Sequence, residues 1–514
     1  MSTRYLDTRG LDDSRPAFSE VVIKGIAAGG GLYVPETLPS LHLDEILGLA
    51  RRTYPERAAH IFEAFGVDFS RQRLTALMAQ SFGANFDHPG VAPVVEPAAG
   101  MHVLELWHGP TSAFKDMALQ CMPLCFSEAV AMRRAAGVKM NDFLVLVATS
   151  GDTGKAALEG FADRESTRIA VFYPADGVSD LQRKQMVTQR GANVSVFGVR
   201  GNFDDCQSAV KAAFNDADFN AGLARRSHLE LSSANSINWG RLLPQIVYYA
   251  SAYADVVAAG GLAPGANLDV CVPTGNFGNI LAAYYARRIG VPLGRLLCAS
   301  NENNVLADFL RTGEYDIGSR PFVTTPSPSM DILISSNLER LLSELGPNAE
   351  QVRRWMADLS AQRRFVVDSG TFAAVREVFV GDHVTNDESL ETIRRVYGET
   401  GYLLDPHTAV AWAVAERLRA EAPVLVVSTA HWAKFGADVY RALEGIPSGG
   451  ALPERAAHLT GVQLLGEVRR LAPGQHVPPA LAELDDLPVR FAEVVEGSRA
   501  GVEGAILGWL GATA

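Results

Sequence analysis

Three apolar runs punctuate the middle and end of the chain, and each stops at residues with hydroxyls or glycine. Phe143, Leu144, Val145, Leu146, Val147 and Ala148 lead into Thr149-Ser150-Gly151-Asp152-Thr153-Gly154. Leu268-Asp269-Val270-Cys271-Val272-Pro273 leads into Thr274-Gly275-Asn276-Phe277-Gly278-Asn279. Val424, Leu425, Val426 and Val427 lead into Ser428-Thr429. Short unbroken apolar runs, unlike alternating ones, predict strands buried on both faces. Helical patterns over 155–161 and 280–288 follow the first two loops. Between them, 169–173 and 194–197 read as strands, and 178–189 and 204–214 as helices. Strands alternating with helices predict an α/β fold of right-handed βαβ units and parallel sheets. Ligands then belong at the carboxyl ends of the strands.

The pattern divides the chain into four expected regions. Residues 1–95 form a mixed N-terminal domain with a Gly29-Gly30-Gly31 turn. Residues 96–228 and 229–444 are two α/β domains, with a ligand between them, and 445–514, rich in charge and proline, is a peripheral appendage. There is no internal repeat or low-complexity segment.

One lysine stands out. In His108-Gly109-Pro110-Thr111-Ser112-Ala113-Phe114-Lys115-Asp116, a Gly-Pro turn delivers Lys115 to a dense apolar run through Met117, Ala118, Leu119, Cys121, Met122, Leu124 and Cys125. Such a lysine either snorkels to water, or pairs with Asp116, or is kept as a neutral amine able to form a Schiff base with an aldehyde. The two glycine-hydroxyl loops favour the last. Loop amides and the positive end of a helix dipole hold anions, and small residues let a phosphate approach. Gly154-Lys155 is not part of a Walker motif, because Thr149 replaces its first glycine and Ala156 its Ser/Thr. The 274–279 loop is not a dinucleotide fingerprint either.

Composition narrows the picture modestly. A net charge of −12 over 514 residues argues against nucleic acid and anionic membranes. No run spans a bilayer, and the first residues lack an apolar signal core, so the expected location is cytoplasmic. Cys121, Cys125, Cys206, Cys271 and Cys298 have no paired Cys-x-x-Cys spacing, and no metal is expected. His108, His407 and His431 suit structural hydrogen bonding as well as a site. Residues 324–329, with prolines at 321, 326 and 328, suit a mobile lid or a rigid loop.

Taken together, these segments resemble the threonine synthases of the longer enterobacterial and fungal form. The resemblance rests on Gly29 to Pro35, 108–120, 149–154, Ala234-Asn235-Ser236-Ile237-Asn238-Trp239-Gly240-Arg241 and 272–279. It continues through Ser327-Pro328-Ser329-Met330-Asp331, 404–409 and Ser428-Thr429-Ala430-His431. It implies the pyridoxal 5′-phosphate fold type II, like tryptophan synthase β, with an N-terminal mixed domain. It makes Lys115 the Schiff-base lysine. Gly275, Asn276, Phe277 and Asn279 would hold the cofactor phosphate or line its ring, and Thr429 would face the ring nitrogen. Ser150, Gly151, Asp152 and Thr153 would face the substrate, with Asn235, Asn238 and Arg241 nearby. The implied reaction is γ-elimination and β-hydration of O-phospho-L-homoserine to L-threonine and phosphate, by a monomer or a homodimer. Two rivals share the scaffold: a phospho-lyase that yields 2-oxobutyrate, and a non-catalytic cofactor-binding regulator. One departure is plain, since Trp432 stands where the family usually has proline.

Overall fold

Two parallel sheets organise the chain, and their carboxyl ends face the same region. The computed structural model describes residues 2–419 and 422–512. The larger sheet has six strands in the order Phe379–His383, Leu293–Ser300, Leu268–Pro273, Val424–Ser428, Met101–Glu105 and Val94–Ala98. All its pairings are parallel except the edge pair of Val94–Ala98 with Met101–Glu105. The smaller sheet is wholly parallel, in the order Val494–Glu496, Val194–Arg200, Thr167–Pro174, Asp142–Ala148 and Leu229–Ser232. The apolar runs at 143–148, 268–273 and 424–427 are central strands, buried along nearly their whole length. Covering both faces of a parallel sheet is what makes such strands continuously apolar.

Helices cover both sheets. Trp239–Ala258 is the longest helix and is buried over most of its surface, in the apolar cluster that also holds Phe62, Met122 and Tyr285. The N-terminal helices Tyr54–Ala64 and Arg71–Ser81 share that cluster. Among the described residues no helix is long and apolar enough to cross a membrane.

Three features differ from the sequence expectation. Strand Met101–Glu105, assigned above to the 96–228 region, pairs with Val424–Ser428, so it belongs to the larger sheet. The expected peripheral appendage at 445–514 is tied, over its described residues, to the smaller sheet. Strand Val494–Glu496 extends the smaller sheet beside Val194–Arg200, and Val502, Ile506 and Leu510 share an apolar cluster with Cys206 and Val210. Pairing across such sequence distances leaves no local signal. The apolar run after Lys115 is two helices, Lys115–Leu119 and Met122–Ala135, rather than one.

Candidate active site

The lysine segment is fastened to the end of a central strand. Leu106 N–H donates to the Ser428 carbonyl at 3.0 Å, Phe114 N–H to the Thr429 carbonyl at 2.7 Å, and His431 N–H to the Ser112 carbonyl at 3.1 Å. Asp116 accepts from the N–H and the hydroxyl of Thr111, both at 2.8 Å, and so closes the turn ahead of the lysine. Lys115 therefore emerges beside Thr429 and is 8% exposed. Its Nζ lies 3.2 Å from Ser329 Oγ, 3.8 Å from Asp152 Oδ2 and 5.2 Å from the centroid of the Phe114 ring. Burial, helped by the Arg241 and Lys434 cations and opposed by Asp152, brings its amine down to about 8. It neither snorkels nor pairs with Asp116.

The 149–154 loop turns inward. Thr149 Oγ1 accepts from Gly151 N–H at 3.0 Å and Gly154 N–H at 2.9 Å. Gly151 has φ +140°, and a Cβ there would meet the Gln182 side chain at 2.6 Å, so both backbone and space demand glycine. Asp152 starts helix Asp152–Phe161, three residues earlier than the sequence pattern suggested. Its carboxylate accepts from Gln182 Nε2 at 3.1 Å and Ser329 Oγ at 3.2 Å, and pairs with Lys434 Nζ at 3.0 Å. Burial pushes this carboxyl up, but Lys434, Lys115 and His407 outweigh it and hold it well below the ordinary carboxylate range. Ser150 and Thr153 keep partial exposure on the same loop.

The 274–279 loop turns outward. Ser335 Oγ donates to the Gly275 carbonyl at 2.6 Å, and Asn337 N–H to the Asn276 carbonyl at 3.1 Å. These bonds hold the carbonyls, and helix Gly278–Arg288 starts without a side-chain cap. A Cβ at Gly275 would lie 2.9 Å from the Ser329 carbonyl oxygen, so the loop packs directly against the residue that bonds Lys115. Asn279 is 7% exposed. Its Oδ1 accepts from the Tyr248 and Tyr249 hydroxyls, both at 2.6 Å, and its Nδ2 is buried without a partner.

Several expected residues are placed differently. The Phe277 ring packs in the core 5.5 Å from Phe379, so only its backbone, held at φ +63°, borders the loop. Asn238 is 1% exposed and caps the long helix: its Oδ1 accepts from Gly240 N–H at 2.9 Å, and its Nδ2 donates to the Val22 carbonyl at 2.9 Å. One bond at each end of that amide serves the fold. Asn235 and Asn276 are exposed. Arg241 is 4% exposed and donates to the Ala234 carbonyl at 2.9 Å, with its Nε unpartnered; burial brings it down to about 10.

The 324–329 stretch is a tied loop. Thr325 and Asn301 both donate to Asp331 Oδ1, at 2.7 and 2.8 Å, and Ser329 N–H donates to His407 Nε2 at 3.2 Å. His407 and His108 are structural: His407 Nδ1 bonds Asp405 at 2.8 Å, while His108 bonds Asp87 at 2.6 Å and Glu105 at 2.9 Å. Trp432 is 4% exposed, in the apolar cluster of Leu464, Leu465 and Val468.

Known proteins supply the family. Residues 4–82 match the model for the threonine synthase N terminus, 98–430 that for pyridoxal-phosphate dependent enzymes, and 408–506 that for the threonine synthase C-terminal region. The chain belongs to the threonine synthase family. Threonine synthase from Pseudomonas aeruginosa is 38% identical over 467 residues, covering 89% of this chain and 93% of that protein. Human threonine synthase-like 1 is 43% identical over 456 residues, covering 86% of this chain but 60% of the longer human protein. The crystal structure of PLP-bound threonine synthase from Brucella melitensis superimposes with a TM-score of 0.84 at 36% identity, covering 98% of this chain and 99% of that one. The parallel-sheet lobes are those of fold type II.

The donor set suits a phosphorylated pyridoxal. The unpaired Asn279 Nδ2 and the open helix start offer hydrogen bonds to a phosphate, and a buried amine of lowered basicity suits an aldehyde. Sequence reasoning gave no role to Ser329 or Lys434. Both lie within or beside matched segments, but neither carries a periodic or spacing signal of its own.

Proposed function

We propose that this chain is a threonine synthase that converts O-phospho-L-homoserine and water to L-threonine and phosphate, with pyridoxal 5′-phosphate held by Lys115. The observation that supports this most is Ser329. Its hydroxyl is 3.2 Å from Lys115 Nζ, and its carbonyl packs against Gly275, so one residue joins the amine to the anion-holding loop.

When bound, the cofactor supplies a reactive aldehyde and a conjugated ring that accepts electron density from the substrate Cα. Asn279 Nδ2 and the backbone amides of 275–279 would hold its phosphate, and the Thr429 hydroxyl would serve the ring nitrogen. A hydroxyl there would leave that nitrogen less charged than a carboxylate would, a setting that would disfavour transamination. Lys115, with its lowered basicity, moves protons at the substrate Cα and then Cβ near neutral pH. Arg241 forms no ion pair among the described residues and takes an anionic group of the substrate. Ser150, Thr153 and the loop amides orient the rest. Asp152 faces Lys115 and Lys434 and acts on the substrate only through Lys115.

The test is product analysis by NMR after mixing cofactor-loaded protein with O-phosphohomoserine. Threonine and phosphate in equal amounts support the proposal. Phosphate with 2-oxobutyrate would replace it with the lyase, and intact substrate would overturn the substrate assignment.

A further inference from the structure

Lys434 is the buried cation that the reaction as described leaves unused. Its side chain is 0% exposed, in the short turn Trp432–Phe435 that follows the Thr429 strand. The ammonium has one acceptor for each of its three protons: the Thr111 carbonyl at 2.7 Å, Asp152 Oδ1 at 3.0 Å and Gln185 Oε1 at 3.2 Å. Fully engaged, it has no proton or lone pair to offer a ligand. What it does is occupy Asp152. Lys434 and Gln182 take Oδ1, so Lys115 meets only Oδ2, at 3.8 Å, with Ser329 Oγ 3.2 Å from each of them.

We propose that Lys434 is a positioning residue that neutralises Asp152 from behind, so that Lys115 stands beside a carboxylate already paired and remains available as a neutral amine. The argument is one of charge. Beside a single unpaired carboxylate in a dry site, Lys115 would be trapped as an ammonium; with a second lysine on that carboxylate, the cluster is neutral only when Lys115 is uncharged. The other charges facing Lys115 are Arg241 from the long helix and Asp116 from its own helix. Neither is a hydrogen-bonding partner of Lys434. The inference deepens the reading of Lys115 as the cofactor lysine and rests on it.

The test uses the full chain freed of cofactor, methylated with formaldehyde and cyanoborohydride over a pH series. Incorporation at Lys115 is read by peptide mass spectrometry. Wild type should reach half its limiting rate near pH 8. In Lys434→Met the midpoint should rise by about one unit, so that labelling at neutral pH falls about tenfold, while Lys434→Arg keeps the wild-type midpoint. If the methionine chain does not fold, Lys434→Gln, which keeps a donor for the Thr111 carbonyl, should show the same rise. A folded Met or Gln variant with an unmoved midpoint would overturn the proposal, as would an Arg variant that shifts as far as the neutral ones. A merely structural Lys434 would lower thermal stability without moving the midpoint. Borohydride reduction of the holoenzyme, with the labelled lysine then mapped, tests the Lys115 assignment separately.

Discussion

The junctions at 149–154 and 274–279 share one sequence plan, a buried strand, a glycine-hydroxyl loop and a helix, yet they use their hydrogen-bonding groups in opposite ways. In the first, the Thr149 hydroxyl takes two loop amides, and the Asp152 carboxylate turns to Lys434, Gln182 and Ser329. In the second, neighbouring segments bind the loop carbonyls, and Asn279 Nδ2 has no partner. One loop is a closed support that sets the charge around Lys115. The other is an open cradle. The pattern of residue types marks both as junctions at a site; only the partners of individual atoms tell support from cradle.

The comparison can be broken in four ways. The largest effect belongs to the group both loops serve. Lys115→Ala should abolish threonine formation in an NMR product assay while circular dichroism shows a folded chain, and retained turnover would refute its assignment. Next comes the cradle. Asn279→Leu removes a donor to a charged group, so cofactor affinity measured by equilibrium dialysis should fall about tenfold or more; it also strands the Tyr248 and Tyr249 hydroxyls, so the melting temperature should fall too.

The support should lose stability without a matching loss of affinity. Thr149→Val strands two buried amides and should cost about 1–3 kcal/mol in urea unfolding. Its cofactor affinity should fall less than that of the Asn279 variant. Equal losses of affinity would show that the loops are not divided as described. The smallest effect is a slope. Lys115 titrates near 8 in the folded chain against 10.5 ordinarily, so between those values the unfolded chain binds the extra proton. Stability of the cofactor-free chain should therefore rise with pH across that window and lie lower below it. Lys115→Met, measured in the same urea series, should lack this rise.

Much of this was legible beforehand because it is local. Strands at 142–148, 268–273 and 424–428 are mostly apolar runs, broken only by Asp142, Asp269 and Ser428, and the lysine follows a Gly-Pro break. Individual roles were less so. Asn238 and Phe277 sit in motif segments, but one is a helix cap and the other a core ring, and which way a side chain turns depends on what packs beside it. Lys434 carries no sequence cue, since its carboxylate partner lies in the other sheet's loop.

The chain by itself determined the α/β class, the two glycine-hydroxyl loops, the lysine between them and, through the likeness of long ordered segments, the family. These follow from short-range periodicity and from backbone demands such as that of Gly151 at φ +140°, which any reader of the sequence can locate. Tertiary structure decided the rest. It joined Met101–Glu105 to Val424–Ser428, set Val494–Glu496 on the smaller sheet, and placed Lys434 and Lys115 on one carboxylate. Pairing energies between distant segments, and the electrostatics of groups removed from water, depend on three-dimensional separation, which sequence spacing does not encode.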